Sequence, residues 1–399
     1  MNDTTQLYAR LSSLAIFRNL LKSPVMEKFM ALLSCPGDDV PAAVNRYSDF
    51  VSELYRNGQD FGSYILNFIL EDENSYMLAK CAGTATEGPM EEALERELDL
   101  IQELCSITSD DVRTLLPDYD GFLPGWNTSA FDLKTIYHDR IANIHKKGYG
   151  IFAQYHMFCI NDGKIVPIKH PDPQRLDQLS DYEMERNKVI RNTEALLTGG
   201  PASNVLLYGD AGTGKSSTIK AIANAYRDQG LRMIEVKKNQ LYQIPDIIET
   251  LSNNPLKFIL FIDDLSFTSN DDDFAALKAI LEGSISGKSS NLVIYATSNR
   301  RHLIKETMTE RSGDELHLND TMQELMSLSA RFGLIITYQR PDKKVYCNIV
   351  RNLARQYGIV MDDDLLIQKA EAHAIRANGR SPRTAKQFIE LLKTEIISQ

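Results

Sequence analysis

Nowhere does this 399-residue chain approach the ~18 consecutive apolar residues that a membrane-spanning helix requires. Its longest near-continuous apolar runs, at 64–70 and 258–262, are far shorter. Cysteine is scarce: Cys35, Cys81, Cys105, Cys159 and Cys347 are odd in number, the closest two stand 24 residues apart, and no C-x-x-C occurs. Neither a disulfide framework nor a zinc knuckle is expected from that spacing. The seven histidines form no H-x-x-x-H pair, so a structural metal is not expected either. The opening MNDTTQLYAR lacks a basic stretch followed by an apolar one. No secretory leader is expected, and a soluble cytoplasmic protein is the expectation that remains.

Charge is present but unevenly spread. The net is −10, yet residues 1–120 carry 21 acidic and 9 basic side chains, leaving 33 acidic and 35 basic for the rest. An acidic first third is a poor grip for nucleic acid, because phosphate binding needs a basic face. A solvated acidic surface is its plainer meaning.

Residues 5–147 read as mostly helical. Leu7, Leu11, Leu14, Phe17 and Leu21 recur at helical spacing, Pro36-Gly37 ends that unit, and a second helix is expected over 42–55. A third, over 90–107, places Leu94, Leu98, Ile101 and Leu104 on one stripe, which is expected to face a core. Trp126, the only tryptophan, follows a Pro- and Gly-rich loop (Pro117, Gly121, Pro124, Gly125) and is expected to be a packing anchor. Near residue 150 the pattern changes: 149–160 and 164–168 flank Asn161-Asp162-Gly163, a turn that favours a β-hairpin. A proline-bearing linker follows, and then short apolar runs at 205–208, 232–236, 258–262, 292–296 and 334–337 alternate with helical stretches. Such alternation predicts a parallel sheet of five strands covered on both faces. Three helices are expected after Pro341. The expected division is therefore a helical domain at 1–147, a hairpin and linker at 148–174, an α/β core at 175–340 and a small helical lid at 341–399.

The chemistry concentrates in one loop. Gly209-Asp210-Ala211-Gly212-Thr213-Gly214-Lys215-Ser216 fits G-x-x-x-x-G-K-[ST], a match that chance supplies in about 1–2% of chains this long. Glycines let consecutive N–H groups turn inward around phosphate oxygens where a Cβ would obstruct them. Lys215 is expected to reach the β/γ-phosphates and Ser216 to ligate Mg²⁺, with Ser217 following in the phosphate-binding turn. A strand precedes this loop and a helix follows it, which aims a helix N-terminus at the anion. The strand 258–262 ends in Asp263-Asp264, and ligands of open α/β sheets sit at such strand ends. Asp263 is the expected Mg²⁺ holder, and Asp264 the group that polarises the attacking water.

With these elements in place the chain resembles an AAA+ P-loop ATPase. Tyr295-Ala296-Thr297-Ser298-Asn299 resembles the sensor 1 strand, which implies that Asn299 helps position the attacking water. Leu328-Ser329-Ala330-Arg331-Phe332 resembles the arginine-finger box, implying that Arg331 reaches the nucleotide of a neighbouring subunit. Gly379-Arg380-Ser381-Pro382-Arg383 resembles sensor 2, with Ser381 as N-cap, Pro382 at N1 and Arg383 contacting nucleotide from the lid. Tyr182, in Ser180-Asp181-Tyr182, stands where the base-side box of such proteins lies. More narrowly, residues from about 149 to 388 are similar to an uncharacterised bacterial family of predicted AAA+ ATPases. The matching stretches include 204–220, 230–236, 263–267, 275–283, 294–303, 327–333 and 381–388. Three departures stand out: Asp264 replaces the usual Glu, Ser180-Asp181-Tyr182 replaces a Gly-Tyr box, and Ala330 replaces an acid.

The resemblance implies ATP and Mg²⁺ as ligands and a homo-oligomer, as a ring or open ring. It also implies a remodelling motor or switch acting on a macromolecular partner that the N-terminal domain selects. Two alternatives stand beside it: a nucleotide-dependent scaffold with negligible turnover, and a protein akin to replication initiators or helicase loaders. A protein-threading unfoldase is weakly indicated, since 237–243 offers Leu241 and Tyr242 but no glycine. Direct nucleic-acid contact is not supported, because Arg300-Arg301-His302 alone makes no extended basic track.

Overall fold

The computed structural model describes residues 3–35, 39–114, 119–266, 272–282, 290–299, 329–377 and 379–397. Pro36-Gly37, Pro117, the run Arg300-Arg301-His302 and Leu328 lie outside the described residues. The chain divides into two units, 1–154 and 155–399.

The first unit is helical. Its helices include Pro24–Leu33, Val40–Asn57, Phe61–Glu71 and Pro89–Cys105. The first three start at side chains that accept from unpaired first-turn amides: Ser23 from Met26, Asp39 from Ala42 and Asp60 from Ser63. Leu94, Leu98, Ile101 and Leu104 are fully buried, as their stripe predicts. The core is aromatic: Phe50 lies 5.1 Å from Phe29 and 5.1 Å from Trp126, edge to face in the second case. Trp126 is a packing anchor whose indole N–H donates to the Ile107 carbonyl at 3.2 Å.

The second unit is built on a seven-stranded sheet. Its strands are β1 (Met157–Asn161), β2 (Lys164–Pro167), β3 (Val205–Gly209), β4 (Leu231–Glu235), β5 (Lys257–Ile262), β6 (Leu292–Ser298) and β7 (Leu334–Tyr338). The order is β2-β1-β4-β5-β6-β3-β7. Every neighbouring pair is parallel except β1 with β2. The five-stranded sheet expected from the sequence is thus corrected to seven. The hairpin does form, but β1 also pairs in parallel with β4, through Met157↔Met233 and Phe158↔Ile234. Its first residues are not strand: Ile151–Gln154 is a helical turn in the first unit.

Burial on both faces explains the continuous apolar runs. Val205 and Leu207 face one layer of the core while Leu206 is equally buried, and β5 repeats this with Ile259, Phe261 and Leu260. Helices α1 (Glu183–Leu197) and α2 (Lys215–Ala225) cover the first face through Val189, Leu196, Ile219 and Ile222. Helices α3 (Ile244–Leu251) and α4 (Asp272–Glu282) follow β4 and β5.

After β7 come α5 (Lys343–Gln356), α6 (Asp363–Arg376) and α7 (Pro382–Ile397), which pack around a core of their own centred on Tyr346, Val350, Ala370 and Ile389. Asp342, Asp362 and Ser381 cap the three helices. Arg351 pairs with Asp363 through two hydrogen bonds of 2.8 and 2.7 Å. Among the described residues, no helix is long and apolar enough to cross a membrane.

Candidate nucleotide-binding site

The loop after β3 is shaped by what its glycines permit. Gly209 has φ +136°, and a Cβ on it would stand 2.0 Å from the Tyr338 carbonyl oxygen of β7. Gly212 and Gly214 are also left-handed, at φ +77° and +93°. The turn they make delivers the chain into α2, whose first-turn amides face the loop.

Lys215 is buried and its ammonium is fully engaged. Nζ donates to the carbonyls of Gly209 at 2.8 Å and Asp210 at 2.9 Å, and to Asn299 Oδ1 at 3.0 Å. Burial pulls its pKa down to about 8, and the carboxylates of Asp210, Asp263 and Asp264 offset only part of that. Asn299, one residue past β6, uses its amide nitrogen to reach Asp264 Oδ1 at 2.7 Å. Lysine can only donate and the carboxylate can only accept, so the two partners fix which end of the amide faces each.

Asp263 gathers donors. Its Oδ1 accepts from Ser216 Oγ at 2.6 Å, from Thr297 Oγ1 at 2.5 Å and from the Asp264 amide at 3.1 Å. The Asp264 amide is shared with Thr297 Oγ1, at 2.9 Å. Asp264 itself sits at φ +50°, a strained conformation for a residue with a Cβ, of the kind that collects at working sites.

These groups floor a cavity of about 620 Å³, within the size range of small-ligand sites. Its walls also include Leu179, Ile349, Leu353, Gln178 and Gln356, a mix of apolar and amide side chains. Tyr182 also lines it, stacked on Tyr338 with centroids 5.3 Å apart and donating its hydroxyl to the Gln339 carbonyl at 2.7 Å. Arg383 reaches the cavity from α7, and its amide donates to the Gly212 carbonyl at 3.1 Å. The structure therefore brings together Gly212, Thr213, Gly214, Lys215, Ser216 and Ser217 with Ala211, Asp263, Asp264, Asn299, Tyr182 and Arg383 around one cavity. Arg331, two residues before the last residue preceding β7, is not among its lining residues.

Two groups, Thr297 and Asn224, escaped the sequence reading, and Asp210, expected as part of the phosphate-binding loop, is placed differently. Thr297 lies two residues before Asn299, and the period-two alternation of a strand puts both on one side, so its pattern was readable. The Asp210 carboxylate turns away to the Arg340 amide, at 3.0 Å. Asn224, on α2, donates to the carbonyls of Asp172 at 2.9 Å and Gln174 at 2.8 Å, while His156 Nε2 meets its oxygen at 2.8 Å. Asn224 thereby pins the segment that supplies Gln174 and Gln178 to the cavity wall, a contact between distant positions that no local pattern announces.

A parallel sheet ordered β4-β5-β6-β3-β7, a phosphate-type loop after β3 and paired acids after β5 define the class: a P-loop nucleotide-binding protein of AAA+ type. Within that class the chain belongs to the family described as Protein of unknown function (DUF815), matched over residues 152–396. The replication factor C large subunit of Sulfolobus acidocaldarius is similar at 24% identity over 212 residues, covering 48% of this chain and 48% of the relative. The chain thus spans about half the length of that curated relative. Among solved structures, Thermotoga maritima RuvB, titled a Holliday junction branch migration motor, gives a TM-score of 0.38 at 16% identity, covering 57% of this chain and 66% of that one. A structure titled DNA replication initiation factor gives 0.36 at 16% identity, over 57% and 66%.

Proposed function

We propose that this protein binds ATP with Mg²⁺ and hydrolyses it, and that it works as an oligomeric AAA+ switch or remodelling motor on a macromolecular partner. The observation that carries the reading is the convergence of Lys215, Asn299 and Asp264 in one hydrogen-bonded chain beside the Ser216–Asp263 pair. The donors at that pair are all oxygens, which suits a hard ion such as Mg²⁺. When bound, the ion neutralises charge on the phosphate oxygens.

The protein's own groups divide the remaining work. Loop amides and Lys215 hold the phosphates; the ammonium exchanges its carbonyl partners for phosphate oxygens and lets go of Asn299. Asn299 and Asp264 then orient the attacking water, and Asp264 accepts its proton. An aspartate is one methylene shorter than the usual glutamate, so the water must lie close to β5. Arg383 contacts the nucleotide from the three-helix subdomain, which acts as a lid, and Arg331 serves the nucleotide of a neighbouring subunit. The helical unit 1–154 is the partner-selecting part. A target in the replication machinery is the narrower form of this reading, supported by the name of the replication factor C relative.

The test is ATP hydrolysis against protein concentration for the wild type and Arg331→Ala, with sedimentation alongside. Turnover per chain is expected to rise with assembly. Arg331→Ala is expected to keep ATP affinity and lose turnover by about 10³–10⁵-fold. Activity independent of both concentration and Arg331 removes the finger and the motor. One observation favours a second reading, a nucleotide-locked scaffold with negligible turnover: Asp264 is short, strained and already held by Asn299. Asp264→Asn separates the two, since abolished turnover with intact cellular function selects the scaffold.

A further inference from the structure

Resting on the nucleotide-site reading above, we propose that Asp210 is a positioning residue: its side chain ties the phosphate loop to the hinge that carries the three-helix subdomain. A carboxylate in a loop whose amides gather phosphate is electrostatically misplaced if it points inward. Here it points away, and Oδ2 accepts the Arg340 amide at 3.0 Å. The Asp210 amide in turn donates to the Tyr338 carbonyl at 3.2 Å, so both ends of the residue hold the chain as it leaves β7.

That stretch is the hinge. Only Pro341 and Asp342 separate Arg340 from the start of α5. The guanidinium of Arg340 lies against Gly379, where a Cβ would come within 3.2 Å of Nη1 and 3.3 Å of Cζ. Two residues on, Ser381 caps α7, and Arg383 returns a backbone hydrogen bond to the Gly212 carbonyl at 3.1 Å. Asp210, Arg340, Gly379, Arg383 and Gly212 form a closed circuit between the loop and the subdomain. Phosphate in the loop disfavours any Asp210 rotamer aimed at it, which tightens the Asp210–Arg340 bond. Nucleotide therefore locks the hinge through a side chain that never touches the nucleotide.

Hydrogen–deuterium exchange of the full chain tests this, with and without a non-hydrolysable ATP analogue and Mg²⁺, in wild type, Asp210→Ala and Asp210→Asn. In the wild type the analogue is expected to slow exchange at 211–217, at the Arg340 amide and at 379–384. Asp210→Ala is expected to keep protection at 211–217 but exchange roughly tenfold faster at Arg340 and 379–384, the worth of one charge-assisted hydrogen bond. Asp210→Asn, which keeps an acceptor but not the charge, is expected to hold Arg340 without nucleotide and to lose most of the added protection that the analogue brings at Arg340 and 379–384. Wild-type protection at 379–384 in Asp210→Ala overturns the proposal, and so does an undiminished analogue-dependent gain there in Asp210→Asn. If Asp210→Ala does not melt cooperatively, Asp210→Ser replaces it with the same expectations. No protection at 211–217 in the wild type is a different failure, that of the nucleotide site itself.

Discussion

At the scale of single residues, Lys215 makes the sharpest forecast. Its ammonium has a pKa of about 8 in the free protein, because burial outweighs three nearby carboxylates. Phosphates in the loop stabilise the charged form and return the pKa toward its ordinary 10.5. Below about 8 the lysine is charged with or without nucleotide, so affinity is flat there. Between about 8 and 10.5 binding takes up a proton, and affinity falls by up to about tenfold per pH unit. Titration of a fluorescent ATP analogue from pH 6.5 to 9.5 measures this; an affinity that rises with pH is the opposite sign and refutes it. Gly209 is the second case. A methyl group there meets a backbone carbonyl at 2.0 Å and cannot be accommodated by a side-chain rotation. Gly209→Ala is expected to cost roughly 2–4 kcal/mol in a urea unfolding experiment. The loop motif was legible at this scale because its glycines and lysine are contiguous. Asp210 was legible only as a loop member; where its carboxylate points depends on Arg340, just past β7 and 130 residues away.

At the scale of elements, the strands and helices of the sheet followed from short β-rich runs and from helical spacing. The docking of the hairpin did not. Asn161-Asp162-Gly163 dictates a turn, but nothing local says that β1 will lie parallel beside β4. Edge pairing is decided by which apolar surface remains uncovered, a property of the assembled sheet. The same holds for the cavity wall at 174–178, which is held by Asn224 from α2. Asn224→Leu removes two hydrogen bonds to that wall. It is expected to weaken ATP binding about tenfold while leaving the affinity for inorganic triphosphate unchanged, because the loss falls on the 172–178 segment and not on the phosphate loop. Competition of each ligand against a fluorescent analogue checks the contrast. Equal weakening of both assigns Asn224 to general stability instead.

At the scale of the whole molecule, the two units have separate cores, one aromatic and helical, the other spread over a parallel sheet. Ligand held by one folded unit raises the stability of that unit by mass action, by about 2.7 kcal/mol at a hundredfold excess over Kd. Calorimetry of the full chain is expected to show two transitions, with Mg²⁺ and ATP analogue raising only the one that belongs to 155–399. A single transition that moves as a whole would mean that the units fold as one.

By itself the sequence determined the class of this protein. Phosphate chemistry needs glycines, a lysine and a hydroxyl within eight consecutive residues, and a buried strand ending in two acids advertises itself through an unbroken apolar run. The acidic balance of the first third and the stripe of Leu94, Leu98, Ile101 and Leu104 were equally readable, since composition and periodicity are local. Only the tertiary structure decided the rest: the seven-stranded sheet, the chain of hydrogen bonds from Lys215 through Asn299 to Asp264, and the grip of Asp210 on Arg340. Each joins residues from 35 to 130 positions apart. Hydrogen bonds of about 3 Å between such positions exist only once the strands are aligned, and alignment is set by burial over the whole sheet rather than by any neighbour in sequence.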